Sequence, residues 1–255
     1  HRLLYEFFGW DAPAFAHLPL LLNEDRSKLS KRQGDVAVED YRSKGYLPAA
    51  LLNFVVLLGW NPGDDRELFS LAELEQAFSL ERVSKSGAVF AIEKLNWFNA
   101  QYLRSLAPME LAAHCAPWMR AAGFDTRDDA RTAAVASAFA SYLTLPSDIG
   151  PYLRFLTIAT VTVERDEDRA LLAAPESQSV LTRFAYLAEL QEPWEREAVK
   201  AMIKRLQQDT GVKGKNLFMP LRLALSGEEH GPDLGVIAEL LGRETCLRRV
   251  RAQLL

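Results

Sequence analysis

Two lysines three residues apart, Lys28 and Lys31, stand in the segment Asp25-Arg26-Ser27-Lys28-Leu29-Ser30-Lys31-Arg32. Small hydroxyl residues separate them, so the segment offers several ammonium donors on a chain expected to be mobile. Movable point charges suit a transient polyanion such as a triphosphate better than a rigid fork does. If pyrophosphate leaves, charge builds in the transition state, and a lysine engaged at that moment speeds the step. The same residues also read as a solvated basic loop, and the spacing alone leaves both readings open.

Charge is gathered elsewhere too. Arg26 to Arg32 holds four positive residues and no acid, and Arg196 to Arg222 holds seven (Arg196, Lys200, Lys204, Arg205, Lys213, Lys215, Arg222) against Glu197 and Asp209. Arg243, Arg248, Arg249 and Arg251 close the chain against Glu244. The net charge of −4 and pI of 5.7 taken alone argue against nucleic acid. Positive charge collected on one face can still attract a polyanion, although solvated helix faces have the same appearance.

The elements that must position these residues read mostly as helices. Residues 2–9 fit one short helix, and His17 to Asn23 is an apolar run expected to be a buried strand. Glu24 to Gly34 reads as a loop. Pro48 opens a helix whose residues Ala49 to Leu58 are apolar nearly all round, which predicts burial on every side. Asn61-Pro62-Gly63-Asp64 is a turn, Ser70-Leu71-Ala72-Glu73 is a capping box, and Ile92 to Leu106 is helical with Leu95, Phe98, Tyr102 and Leu106 on one stripe. Trp97 and Phe98 are expected in the core. Pro108 opens a further helix before an Ala-rich stretch, with breaks expected at 147–150 and 173–176. Pro193 opens a helix burying Val199, Met202, Ile203 and Leu206, with Lys200, Lys204 and Arg205 off that face and Gly211 as C-cap. Trp194, at the start of that basic helix, is left open between packing and base contact. Helices over 217–225, 233–241 and 244–254 complete the chain.

With 255 residues, 49% of them hydrophobic and 25% charged, the chain has the make-up of a soluble globular protein of two or three cores. No stretch reaches the ~20 apolar residues needed to span a bilayer. It opens on His1 without a signal peptide, which reads as a fragment or processed piece. Cys115 and Cys246 form no Cys-x-x-Cys pair, so they are expected to be half-buried thiols in a reducing compartment, with no metal site.

The run from His17 through Lys28-Leu29-Ser30-Lys31-Arg32-Gln33-Gly34-Asp35 resembles the lysine signature loop of class I aminoacyl-tRNA synthetases, in the form typical of glutamyl-tRNA synthetases. Gly45 to Phe54, Leu57-Leu58-Gly59-Trp60, Lys94 to Asn99, Gly214 to Arg222, His230-Gly231-Pro232 and Leu240 to Glu244 follow in the expected order. The resemblance, to the bacterial type, covers nearly the whole chain. Residues 108–190 carry little of it.

The resemblance implies a mainly α chain: a short remnant of an α/β nucleotide-binding domain (1–32), a stem-contact fold (33–107), and an all-helical anticodon-binding cage (108–255, divided near 190). It implies that Lys31 contacts ATP phosphates, with Lys28 and Ser30 shaping the loop. Arg222, Pro232 and Leu234 fall where the family touches the anticodon; Arg26, Arg32, Lys213 and Lys215 add expected tRNA contacts. Arg222 is also open to a phosphate-only or salt-bridge role. The parent enzyme would join glutamate to its tRNA through glutamyl-adenylate, using ATP with Mg2+, as a cytoplasmic monomer without a membrane partner. The family's first signature, a His-x-Gly-His-type motif, is absent, so this chain is expected neither to catalyse alone nor to hold ATP tightly. The alternative is a stand-alone helical RNA-binding or protein-interaction module derived from a synthetase.

Overall fold

The computed structural model describes residues 1–29 and 37–255, so the expectations for Ser30, Lys31 and Arg32 lie outside the described residues. The chain is mainly helical and divides into two compact units, His1–Tyr102 and Leu103–Leu255, the division falling within one helix.

The first unit runs α1 (Arg2–Phe8), β1 (Leu21–Leu22), α2 (Val38–Lys44), α3 (Pro48–Gly59), α4 (Leu71–Ala77), β2 (Ala88–Val89) and the start of α5 (Ile92–Ser105). Pro48 is the first residue of α3, where its missing N–H costs nothing and its fixed φ suits the helix. Only one face of α3 is buried, through Ala50, Asn53 and Phe54; Leu52 and Val55 are exposed, so burial on all sides was too much to expect. The capping box forms: Ser70 Oγ accepts from the Glu73 amide at 3.3 Å, and Glu73 Oε2 accepts from the Ser70 amide at 2.7 Å.

Asparagines fasten this unit. Buried Asn53 donates to the Glu67 carbonyl (2.9 Å), and its Oδ1 accepts from the Phe69 amide (2.8 Å) and the Tyr102 hydroxyl (2.7 Å). Asn99 Oδ1 accepts from the Leu47 amide at 2.8 Å, and Asn96 Oδ1 accepts from the Tyr46 hydroxyl at 2.5 Å. A buried amide of this kind is tolerated because its hydrogen bonds are made. Phe98 is core, but Trp97 is 39% exposed, with Lys94 Nζ 4.7 Å from its ring centre, contrary to its expected burial. The ring shares the surface with a cation that must stay hydrated.

The expected strand over 17–23 shrinks to Leu21–Leu22, paired in parallel with Ala88–Val89. A two-residue partner extends the ladder no further, and Leu18 and Leu20 remain exposed. Gly87 permits the close approach: a Cβ there would lie 2.9 Å from Leu22 Cδ1. The helix α1 buries none of its residues and presents Leu3, Leu4, Phe7 and Phe8 outward, with Trp10 following.

The second unit continues with α6 (Pro108–Ala121), α7 (Asp129–Phe139), α8 (Ile149–Tyr152), α9 (Arg154–Thr157), α10 (Asp166–Ala173), α11 (Pro175–Leu190), α12 (Arg196–Thr210), α13 (Lys215–Ser226), α14 (Leu234–Leu241) and α15 (Arg243–Arg251). The alanines of α7 let it lie close against α6. The break expected at 147–150 is instead a run of short helical turns, where Asp148 Oδ2 accepts from the Thr144 and Leu145 amides at 2.9 and 2.8 Å. The central helix, α11, buries Val180, Leu181 and Phe184 and packs on α12, α13 and α15.

Pro193 lies before α12 rather than opening it. Trp194 Nε1 donates to the Ala238 carbonyl at 2.9 Å, and the Arg196 amide donates to Glu239 Oε1 at 3.0 Å, so α14 supplies the partners for this helix start. Trp194 is thereby a packing residue. Gly211, at φ 68°, caps the other end. Both cysteines are fully buried rather than half-buried, and burial pushes each thiol up to about 12. Arg249, counted above among the gathered cations, is also buried: it donates to the Leu225 and Ile158 carbonyls, each at 2.6 Å.

Candidate nucleic-acid interface

Within the second unit, α12, α13 and the start of α14 enclose a cavity of about 300 Å³. Helical periodicity explains what faces it. On α12 the apolar residues Val199, Met202, Ile203 and Leu206 are buried, which turns Lys200, Lys204 and Gln207 onto one stripe at spacings of four and three. On α13, Phe218 and Arg222 share a face one turn apart, while Leu217, Leu221 and Leu225 are buried.

Arg222 is held in place. Its Nη1 donates to the Pro232 carbonyl at 2.9 Å, and a Cβ on Gly231 would come within 3.4 Å of that nitrogen. Gly231 has φ 147°, a conformation glycine adopts without strain. Burial pushes the guanidinium below the ordinary arginine range, while Asp233 and Tyr142 pull the other way. An arginine there still carries its proton at neutral pH. A partly dehydrated planar cation, already aimed, can pair with phosphate or stack on an unpaired base.

The start of α14 completes the wall. Asp233 Oδ1 accepts from the Gly235 and Val236 amides at 2.9 and 3.4 Å, capping the helix. Gly235 allows α14 to approach α12: a Cβ would meet Lys200 Cγ at 3.1 Å and the Arg196 carbonyl at 3.2 Å. Leu234 is buried and lines this wall through backbone and apolar surface, whereas buried Pro232 lies outside the lining and serves the site through the carbonyl that holds Arg222. Lys213 and Lys215 are exposed and do not line the cavity. Lys215 lies seven residues before Arg222 on α13, roughly 10 Å along the same side.

The second candidate region lies in the first unit. Lys28 forms an antiparallel bridge with Leu22, closing a turn over 23–27. The Asn23 amide donates to the Ser27 carbonyl (2.8 Å), Asn23 Nδ2 donates to Ser27 Oγ (2.8 Å), and the Leu29 amide donates to the Leu21 carbonyl (3.0 Å). Asp25 Oδ1 accepts from both the Ser27 hydroxyl (2.6 Å) and amide (2.8 Å), which hold its carboxyl below the usual range. Arg26 is exposed, at φ 64°. The segment up to Leu29 is a turn presenting exposed Lys28, and side-chain bonds of Asn, Asp and Ser give it shape. Lys31, with Ser30 and Arg32, lies outside the described residues. Among the described residues no group of His, Cys, Asp and Glu could hold a metal ion, and no helix is long and apolar enough to cross a membrane.

Sequence reasoning singled out Arg222, Pro232 and Leu234 but missed Phe218 and Gln207. For Phe218 the signal was its spacing from Arg222, one turn apart on α13.

Comparison with known proteins agrees with this division. A family model for an anticodon binding domain matches residues 110–254, and one for the class I tRNA synthetase (E and Q) catalytic domain matches residues 1–97. The glutamate–tRNA ligase of Clostridioides difficile is 43% identical over 98% of this chain and 52% of its own length. That of Alkaliphilus metalliredigens is 40% identical over 98% and 52%. A crystal structure of a glutamate tRNA ligase from Elizabethkingia meningosepticum, in complex with its amino acid, superposes with a TM-score of 0.82 at 31% identity, covering 98% of this chain and 53% of that one. The chain spans about half the length of the curated relatives it matches.

Proposed function

The chain belongs to the glutamate–tRNA ligase family of class I synthetases, and on that premise we propose that it is the tRNA-binding half of such a ligase. The observation that carries this reading is the α12–α13–α14 cavity. It brings an anchored, half-buried Arg222 together with Lys200, Lys204 and an exposed aromatic ring in an otherwise acidic protein. Such a combination of cations and a flat ring suits an unpaired RNA loop, which offers phosphates and free base faces. Arg222, held by the Pro232 carbonyl, takes the phosphate or base, Leu234 forms the wall behind, and Lys213 and Lys215 follow the backbone. The domains are a catalytic remnant to residue 32, a stem-contact segment to 107, and the anticodon-binding part beyond.

In the whole ligase, Lys31 contacts the phosphates of ATP, with Lys28 and Ser30 shaping the loop and Arg26 and Arg32 beside the tRNA. The described residues agree with a loop-shaping Lys28: it bridges to Leu22 at the end of the turn over 23–27, with its side chain exposed. Bound there, ATP would offer its α-phosphorus to the glutamate carboxylate, with pyrophosphate as the leaving group, and Mg2+ would accompany the phosphates. The exposed Leu3, Leu4, Phe7, Phe8 and Trp10 are apolar surface of the kind a further domain covers. The whole enzyme acts as a cytoplasmic monomer, and this half alone forms no adenylate.

Nuclease footprinting of glutamate tRNA on the chain tests the assignment. Protection of the anticodon loop with the acceptor end left open is the expected pattern. Protection confined to the acceptor end, or none at low salt, overturns it.

A further inference from the structure

We propose that Phe218 is the stacking platform for one unpaired base of the anticodon loop and that the Gln207 amide reads that base's edge, an inference resting on the tRNA-binding role above. Phe218 is 44% exposed on a helix whose other large apolar positions are nearly all buried. Leaving a whole phenyl ring at the surface forfeits burial that neighbouring leucines obtain, and here the ring opens onto the cation-lined cavity. Arg222 follows one turn later, its guanidinium fixed by the Pro232 carbonyl. Ring and guanidinium are two flat groups on one helix face, a slot that accepts a planar base between or upon them.

The opposite wall supplies the remaining chemistry. Gln207 lines the same cavity, and its side chain makes no hydrogen bond among the described residues. An amide presents both a donor and an acceptor, which a base edge can satisfy. Asp233, by contrast, is occupied in capping α14. Of the lysines, Lys200 is paired with Glu197 at 2.9 Å, whereas Lys204 is exposed with no ion pair among the described residues. Lys204 is therefore the cation for the phosphate flanking the stacked base. The ligand class is one splayed nucleotide of single-stranded RNA.

The test uses the full chain and a fluorescent anticodon stem–loop of glutamate tRNA, alongside three versions each abasic at one anticodon position. Base–aromatic stacking predicts that Phe218→Leu weakens binding about 5- to 100-fold with an unchanged salt slope, while Phe218→Trp binds like the unaltered chain. On one abasic RNA the unaltered chain and Phe218→Leu should bind alike, which identifies the stacked base. Gln207→Ala should relax preference at that same position, and Lys204→Ala should lower the salt slope by about one whatever the base. The proposal is overturned if Phe218→Leu binds within twofold of the unaltered chain, or loses equally on all four RNAs. If the unaltered chain binds no stem–loop even at low salt, the tRNA-binding role itself fails, a result distinct from either of these.

Discussion

Replacing Arg249 by methionine should weaken the fold of the second unit and leave RNA binding intact. Arg249 is 4% exposed and donates to two carbonyls, Leu225 on α13 and Ile158 after α9, each at 2.6 Å. It ties α15 to α13 and to the chain just after α9, segments distant in sequence. Methionine keeps much of the volume but orphans both acceptors, and a buried group left without its partner costs ~1–3 kcal/mol. Removing the buried charge returns part of that, because the guanidinium had given up hydration; burial indeed pushes it below the ordinary arginine range. The net loss is about 2–4 kcal/mol. For a unit of this size one kcal/mol moves Tm by roughly 2–4 °C, so a drop of about 5–15 °C is expected in melts followed by circular dichroism. Well below that Tm, tRNA affinity and its salt slope should equal those of the unaltered chain. An unchanged Tm, or a salt slope lowered by one, would refute the reasoning and place Arg249 on the RNA face.

Other outcomes follow from single contacts. Asn53→Leu strips the Phe69 amide of its acceptor and the Glu67 carbonyl of its donor, so the first unit should lose ~1–3 kcal/mol in urea unfolding; a change below about 0.5 kcal/mol would contradict the role given to the asparagine. The thiols of Cys115 and Cys246, buried and pushed up to about 12, should resist alkylation in the native chain at pH 8 and react only on unfolding. The unfolded thiol, near 8.5, ionises first, so the unfolded state binds fewer protons and stability should fall between roughly pH 9 and 12; rapid native alkylation at pH 8 would argue against it. Asp233→Ala removes the acceptor for two amides at the start of α14 and should cost about 1 kcal/mol in thermal unfolding, against no change if that cap is idle.

Much of the helical order was legible because it rests on local chemistry. Pro48 and Pro108 at helix starts, the Ser70–Glu73 box and Gly211 at a helix end each work within a few residues of chain, and all four form as expected. The strand over 17–23 was overread because its extent depends on Ala88–Val89, a partner no local pattern reveals. Trp97 and Arg249 were misplaced for a similar reason: an apolar helix hid an exposed ring beside Lys94, and a basic terminus hid a buried guanidinium. The site was partly legible through the resemblance around Arg222. Phe218 and Gln207 escaped because the cavity takes one wall from each of three segments, and only folding brings them together.

The most direct test of the central claim is a titration of the chain with glutamate tRNA at 50 and 200 mM salt, with an unrelated tRNA and Arg222→Ala alongside. Four phosphate contacts, from Lys204, Lys213, Lys215 and Arg222, predict a loss of about 50-fold in affinity between the two salts. Glutamate tRNA should bind more tightly than the unrelated tRNA, and Arg222→Ala should abolish that preference. Equal binding of both tRNAs with little dependence on salt would contradict the account.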